Sequence, residues 1–334
     1  GIRNREELHD IAHNCLMCGR CDQICPVGIE ISPIRMIVRR TEDIENVYES
    51  RWKGYLRSRI NVVTPRQETG TSYDFLPVRK QEKTDVLYFA GCMTHLTPSI
   101  KKAMVRILDA SGLKWSFMDE DGGVCCGRPL MLEGNDREAR ELINHNSDLI
   151  WKSGARTLVT SCPICYKVFR ESYYLDLEVL HHSQFIKNLI DEGLVDLNYL
   201  QKRVTYHTPC ELGRRSGVYD EPLEVIKHVA SLEATGYDNE NSLCCGGSLG
   251  NIMLSREKRQ KIAEDVTARL TACSPDSLIT ACPLCKKTLA QATSTRVMDI
   301  AELAVEAIAA VPEVKKTRRG VSKKKVIGET TATI

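Results

Sequence analysis

Apolar and polar residues alternate in blocks along this chain, and from residue 84 onward the blocks run through the same order twice. "DVLYFAGC" is a short apolar run that predicts a strand ending at Cys92, and behind it Ile100, Met104, Ile107 and Leu108 recur at the spacing of one helical face. A strand "KWSFM", a helix through "NDREARELINHNSDLIWKSG", a strand "TLVTS" and a turn "CPIC" follow. The second pass reads as a strand in "RVTYHTPC", a helix through "DEPLEVIKHVASL" with Pro222 in its first turn, a helix over 254–272, a strand "SLITA" and a turn "CPLC". Strands alternating with helices in two passes predict an α/β fold of two small halves with mainly parallel sheets. In such sheets ligand groups gather at the carboxyl ends of the strands. Each strand before Cys92, Cys162, Cys210 and Cys282 is expected to end at its cysteine, so the thiols of each half should converge on one edge.

The same signals divide the chain into segments. Residues 1–45 hold a cysteine-rich run and a helix through "ISPIRMIVRR". Residues 46–83 turn polar and irregular, with "TPRQETGTSYDFLPVRKQEKTD", and predict a linker or a loop draped over a neighbour. The two repeats are expected over 84–200 and 201–311, and 312–334 carries a dense basic run. That run is either a solvated flexible tail or an electrostatic docking arm.

Composition narrows the class. With 334 residues, 42% hydrophobic and 27% charged, the chain has the make-up of a soluble globular protein with room for two cores. No stretch approaches the roughly 18 consecutive apolar residues of a membrane span, so the chain is not expected to be transmembrane itself. The start "GIRNREELHD" lacks the layout of a secretory signal. A net charge of +2 gives no argument for nucleic acid as a partner.

Cysteine changes the picture most. The chain has 15, an odd number, in tight local groups that include the adjacent pairs Cys125–Cys126 and Cys244–Cys245. Adjacent cysteines make a strained disulfide, and a chain of this length needs no staples. The pattern therefore predicts a reducing, cytoplasmic compartment and metal ligation.

Cys15, Cys18, Cys21 and Cys25 have the spacing C-x2-C-x2-C-x3-C, followed by Pro26. This is the bacterial ferredoxin run, which holds a 4Fe-4S cubane cluster and whose fourth cysteine serves the other cluster in two-cluster modules. Four thiols within eleven residues suit a cube better than one tetrahedral zinc. Since a two-cluster module needs eight cysteines and four are present, a partner motif upstream of Gly1 is expected. The alternative is that these four serve a single cluster.

The remaining thiols form two sets of five. Cys92, Cys125, Cys126, Cys162 and Cys165 are spaced C-x32-CC-x35-C-x2-C, and Cys210, Cys244, Cys245, Cys282 and Cys285 are spaced C-x33-CC-x36-C-x2-C. Equivalent cysteines lie 118, 119, 120 and 120 residues apart, which points to a duplication. Five thiols are one more than a tetrahedral zinc or a simple cube uses. Gly127, Gly246 and Gly247 fit a backbone that must turn sharply and approach inorganic sulfur. Pro163 and Pro283 would rigidify the C-x2-C turns. Cys273 follows Ile262, Val266 and Leu270 at helical spacing and is expected to be a buried apolar thiol rather than a ligand.

This five-cysteine pattern resembles the cysteine-rich CCG domain of the heterodisulfide reductase family, as it stands in the catalytic subunit and in the longer, fused form of that subunit. Iron-sulfur subunits of anaerobic glycerol-3-phosphate dehydrogenase, glycolate oxidase and lactate-utilisation systems are related. The resemblance covers 84–290, and 15–40 is similar to the second ferredoxin motif of the family's separate ferredoxin-type subunit, so the chain looks like that subunit fused to the catalytic one. It implies two pseudo-symmetric Rossmann-like CCG halves preceded by a small α-helical ferredoxin-type iron-sulfur module. It also implies that each five-thiol set holds a noncubane 4Fe-4S cluster in which one cysteine of the adjacent pair bridges irons. Both motifs are intact, which favours the disulfide-reducing branch.

On that reading the two clusters face each other across a pseudo-twofold axis, each receiving one sulfur of a disulfide, while the cubane delivers electrons singly. His95 and His207, each near the start of a repeat motif, are candidates to supply protons, with a structural hydrogen-bonding role as the alternative. No G-x-G-x-x-G follows a predicted strand, so electrons must come from a partner: a flavin or iron-sulfur subunit, or a membrane cytochrome. The linker and the basic tail are the surfaces expected to meet it, and it could hold the chain at a membrane. Two other readings compete. One is an electron-transfer subunit between a flavin dehydrogenase and a quinone or cytochrome; the other is a zinc-bound scaffold.

Overall fold

The computed structural model describes residues 4–41, 84–120, 124–133, 136–247 and 254–308. The expected linker at 46–83 and the basic tail at 312–334 lie outside the described residues.

Three short helices, α1 (Arg5–His13), α2 (Arg20–Gln23) and α3 (Ile31–Thr41), form the N-terminal segment, with α1 packed on α3. Asn4 caps α1 by accepting from the Glu7 N–H at 2.8 Å. The segment is α-helical, as expected.

The first repeat comprises β1 (Val86–Phe89), α4 (Cys92–His95), α5 (Pro98–Ala110), β2 (Trp115–Phe117), α6 (Arg128–Glu133), α7 (Asp136–Ser153), β3 (Thr157–Thr160), α8 (Pro163–Ser172), β4 (Glu178–His181) and α9 (His182–Asp191). The second comprises β5 (Arg203–His207), α10 (Gly213–Ser216), α11 (Asp220–Val229), β6 (Ser231–Leu232), α12 (Arg256–Leu270), β7 (Ser277–Thr280), α13 (Pro283–Leu289), β8 (Arg296–Asp299) and α14 (Ile300–Ala307). Each repeat makes a four-stranded, wholly parallel sheet, in the orders β2-β1-β3-β4 and β6-β5-β7-β8. The chain direction across the sheet reverses between β1 and β3, and between β5 and β7. Such a switch point opens a crevice at the carboxyl ends of those strands.

The sheets are apolar on both faces, as parallel sheets covered by helices must be. Tyr88, Phe89, Leu158 and Val159 are buried, as are Val204, Tyr206, Leu278 and Ile279 in the equivalent strands. One buried cluster runs through both repeats, because α5 packs on α14 and α9 packs on α11. Ile100, Met104, Ile107 and Leu108 are buried along one face of α5, and the last three enter that cluster.

Three expectations need correction. The strands stop short of their cysteines: β1 and β5 end three residues before Cys92 and Cys210, and β3 and β7 two residues before Cys162 and Cys282. The chain leaves the ladder early so that Cys162 and Cys282 can occupy N-cap positions. Cys273 is exposed, because α12 ends at Leu270 and the helical spacing that placed it in the core no longer applies. The apolar run through "DEPLEVIKHVASL" is split, with α11 stopping at Val229 and Ser231–Leu232 joining the sheet as β6.

Candidate functional site

The C-x2-C turns are built by helix starts. Cys162 and Cys282 are N-caps in extended conformation, and Pro163 and Pro283 take the first helical position, where a missing N–H costs nothing. The second cysteine of each turn, Cys165 or Cys285, therefore lies on the first turn of the helix and is buried. At the adjacent pairs the chain reverses through Gly127 (φ 94°) and Gly246 (φ 81°), a backbone that favours glycine. Amide N–H groups follow the thiols closely: Gly127 donates to Cys125, Arg128 to Cys126, and Gly247 to the Cys245 Sγ at 3.4 Å. A Cβ on Gly247 would collide with Thr288.

Each set of five thiols is brought together as a string with the same order. In the first repeat Cys92 meets Cys125, Cys125 meets Cys126, Cys126 meets Cys165, and Cys165 meets Cys162. In the second, Cys210 meets Cys244, Cys244 meets Cys245, Cys245 meets Cys285 with sulfurs 3.3 Å apart, and Cys285 meets Cys282. Nine of these ten are buried, and Cys92 is half-buried. The second cysteine of each adjacent pair is the middle member. The hydrogen bonds from Cys125 and Cys165 pull Cys126 down to about 5, and those from Cys244 and Cys285 hold Cys245 well below the usual thiol range. The charge of Cys162 is felt at Cys282, so the two sets approach each other at their C-x2-C turns.

Among the described residues no three histidine, cysteine or acidic side chains surround one point as the ligands of a single ion would. Strings of five closely spaced thiols, nine of the ten buried, suit a polynuclear centre, whose irons are each reached by different sulfurs.

The N-terminal run behaves differently. Cys15 accepts from Arg35 Nη1 at 3.1 Å, Cys25 accepts from the Ile29 N–H at 3.3 Å, and Cys21 lies near Cys15 and Asp22. Cys18 turns to the second repeat and meets Cys244, whose hydrogen bond pulls the Cys18 thiol down to about 5. Two adjacent arginines on α10, just after Cys210, hold this junction. Arg214 is 8% exposed and donates from Nε to the Cys18 carbonyl at 2.9 Å and from Nη1 to the Ser242 carbonyl at 2.8 Å and hydroxyl at 2.6 Å. Its Nη2 is sealed from water with no hydrogen-bond partner, a buried donor that an anionic group would satisfy. Arg215 reaches Asp22 at 3.4 Å, the Met17 carbonyl at 3.4 Å and the Ser32 hydroxyl. Gly19, at φ 72°, passes so close that a Cβ there would lie 3.1 Å from the guanidinium.

The two histidines singled out from the sequence are both engaged. His95 sits 3.2 Å from Asp119, which is buried and accepts the Ala90 and Gly91 N–H groups at 2.8 and 2.7 Å. His207 is 1% exposed, donates from Nε2 to the Leu243 carbonyl at 3.0 Å and lies 3.2 Å from Thr280. Burial lowers its basicity.

A third group was missed in the sequence. His181, His182 and Asp299 are wholly buried and hydrogen-bonded between the repeats. Their only sequence signal is position: His181 and Asp299 follow the C-x2-C turns of their repeats and lie 118 residues apart, the same offset as Cys92 and Cys210.

A cleft of about 170 Å³ opens where the N-terminal segment meets both repeats, lined among others by Met17, Arg128, Ile164, Lys167, Glu211 and Arg215. Arg128 opens α6 two residues after Cys126, and Ile164 lies on α8 between Cys162 and Cys165. Three cations against one carboxylate give the cleft a positive balance.

Comparison with known proteins agrees with this geometry. The family model described as a cysteine-rich domain, CCG, matches twice, over residues 86–170 and 204–290. One subunit of the dihydromethanophenazine:CoB–CoM heterodisulfide reductase of Methanosarcina mazei is 28% identical over 91% of this chain and 79% of its own length. One subunit of the CoM/CoB fumarate reductase of Methanothermobacter marburgensis is 26% identical over 81% of this chain and 55% of its own. The EtfAB:quinone oxidoreductase of Syntrophomonas wolfei is 25% identical over 87% and 45%. Among solved structures, an aspartate racemase homologue from Pyrococcus horikoshii aligns over 68% of this chain and 96% of its own at 13% identity and a TM-score of 0.31, too distant to bear on the chemistry.

Proposed function

The chain belongs to the cysteine-rich CCG domain family, and from that premise we propose that it is an iron-sulfur oxidoreductase subunit that reduces a disulfide to two thiols. The observation that carries the proposal is the pair of buried five-thiol strings with one contact order, joined to the N-terminal run through Cys18 and Cys244. Cys92, Cys125, Cys126, Cys162 and Cys165 would hold one noncubane 4Fe-4S cluster, and Cys210, Cys244, Cys245, Cys282 and Cys285 the other. Cys15, Cys18, Cys21 and Cys25 would hold a cubane. When bound, these groups supply single electrons and a place for sulfur at each half. Cys126 and Cys245, the middle members of their strings, would be the central ligands of each set.

The chain's own groups then divide the work. Gly127 and Gly247 carry backbone N–H groups to the sulfurs of Cys125 and Cys245, where they favour added negative charge, and Gly246 makes the chain reversal beside them. Arg214 places a buried positive charge beside Cys18, so a carrier arriving from the N-terminal run meets the second string first. The cleft at Arg128 and Lys167 gives a small anionic disulfide a path to the first string. His95, with Asp119 behind it, and His207 remain proposed proton donors. Ile24 and Val27, beside Cys25 in the chain, and Ile34 and Ile37 on α3 are exposed, which supports docking of an electron-donating flavin or iron-sulfur subunit, or a membrane cytochrome, on the N-terminal segment. Among the described residues no helix is long and apolar enough to cross a membrane.

The relative named as a quinone oxidoreductase favours a second reading, an electron-transfer subunit with no disulfide of its own. One experiment separates the two. The iron-loaded protein is given reduced viologen dye and a series of low-molecular-weight disulfides; turnover with loss of the dye's colour is expected. Dye oxidation by a quinone analogue with none by any disulfide would assign the second reading, and zinc without labile sulfide would end both.

A further inference from the structure

The ends of β4 and β8 are equivalent: Thr160 pairs with His181 in one sheet and Thr280 with Asp299 in the other. Both residues then act as N-caps with a full capping box, His181 for α9 and Asp299 for α14. The duplication has thus placed an imidazole in one half where the other has a carboxylate.

The hydrogen bonds between them run in one direction. Asp299 Oδ1 accepts the Ala301 N–H at 2.9 Å and lies 2.8 Å from His182 Nε2, so that nitrogen carries the proton. His182 Nδ1 is then an acceptor, 3.2 Å from His181 Nε2, and His181 Nδ1 accepts from the Ser183 N–H at 3.4 Å and lies 2.8 Å from its hydroxyl. All three side chains are 0% exposed. The His181 ring also reaches the backbone of Ser161 and of Ala281, the residues immediately before Cys162 and Cys282. It stands between the two thiol sets, against both C-x2-C turns.

A buried carboxylate and two buried imidazoles are expensive to retain unless they serve the chemistry. Two neighbouring atoms add to this polar layer. Asp299 Oδ2 and the Tyr206 hydroxyl are buried with no hydrogen-bond partner, whereas the equivalent Tyr88 hydroxyl lies 2.8 Å from Ser161.

We propose that His181, wired through His182 to Asp299, is a redox-linked proton site shared by the two thiol sets. It takes up one proton from solvent as the flanking sites gain electrons and releases it as those electrons leave. The inference rests on the proposed reaction, in which a disulfide, two electrons from a one-electron donor and two protons give two thiols. The site holds one of those protons until the S–S bond breaks, and the other arrives from solvent.

The groups around His181 are Tyr166 on α8 with ring centroids 6.0 Å apart, His182, Asp299 through His182, and Glu221 of α11 through Gln184 at 2.8 Å, while Tyr88 on β1 and Tyr206 on β5 feel the charge of Asp299. Burial pushes Tyr88 and Tyr206 upward, so they keep their protons. Burial, then the neighbouring His182, hold His181 well below the ordinary imidazole value, so it is neutral until the sites are reduced. Added electrons raise it, and the potential falls with pH between the two values.

The test is a redox titration of the iron-loaded full chain followed by electron paramagnetic resonance between about pH 6 and 8. The potentials of both thiol-set signals are expected to fall by up to ~59 mV for each tenfold drop in proton activity. His181→Asn keeps the N-cap and cannot take the proton, so its potentials should be flat with pH at unchanged iron content. Asp299→Asn also keeps its cap, and by removing the negative charge should move the sloping region to lower pH. Flat wild-type potentials, or a wild-type slope in His181→Asn, would overturn the proposal. A slope in a protein that turns over no disulfide keeps the proton site and sinks the reductase reading; a flat line in one that does turn over disulfide does the reverse.

Discussion

The two thiol sets share one internal order and differ in what surrounds them. The second touches Cys18 through Cys244 and is closed by Arg214, whose guanidinium spans the Cys18 carbonyl and the Ser242 backbone. The first has no counterpart of that latch among the described residues, and its Arg128 and Ile164 line the cleft. Duplication made two equal cradles; the surroundings then set one against the N-terminal cysteine run and left the other near an opening. Equivalent substitutions in the two halves are therefore expected to have unequal effects.

The largest effects are expected at the middle thiols. Cys126→Ala and Cys245→Ala should each remove roughly a third of the iron of a protein holding three 4Fe-4S groups, read by iron analysis, and abolish disulfide turnover. Equal behaviour of the two in turnover does not blur the comparison, since only Cys245→Ala should also leave the first set without a source of electrons.

Next is the latch. Arg214→Gln removes charged hydrogen bonds to the Cys18, Glu240 and Ser242 carbonyls, and through the loss of the Cys18 bond should weaken docking of the N-terminal segment by about 2 kcal/mol. Faster hydrogen exchange across 15–25 and slower electron delivery at unchanged iron would report it. Lys167→Gln, whose partners are Glu171 and the Arg215 carbonyl, should change stability by less than about 0.5 kcal/mol. Equal losses in the two variants would break the asymmetry.

The smallest effect concerns the equivalent tyrosines. Tyr88 has Ser161 as a partner at 2.8 Å, but Ala281 stands where Tyr206 would need one. Tyr88→Phe should cost about 1 kcal/mol in denaturant unfolding, while Tyr206→Phe should be neutral or stabilising, because it removes a buried hydroxyl without a partner.

Much of this was legible beforehand for one reason: cysteine spacing and apolar periodicity are local signals. The offset of about 119 residues, the α5 face at Ile100 and Met104, and the prolines of the C-x2-C turns follow from them. What was not legible depends on contacts between distant segments. Arg214 reading Cys18 spans 196 residues and His182 reading Asp299 spans 117, and neither pair has a spacing rule. β4 and β8 were missed because each is four residues with a polar first position, too short to show alternation. Cys273 was misplaced by extending a helical period past Leu270, where the helix had already ended. His95 and His207 drew notice as neighbours of motif cysteines, whereas the histidines placed between the two sets come after the last cysteine of their repeat.

The order in which the two sets receive electrons is read most directly by rapid-freeze paramagnetic resonance of Cys245→Ala beside the wild type. After mixing with a one-electron donor, the wild type should develop the signal of the second set before that of the first, and in Cys245→Ala the first set should stay oxidised. Reduction of the first set at the wild-type rate in Cys245→Ala would contradict that order.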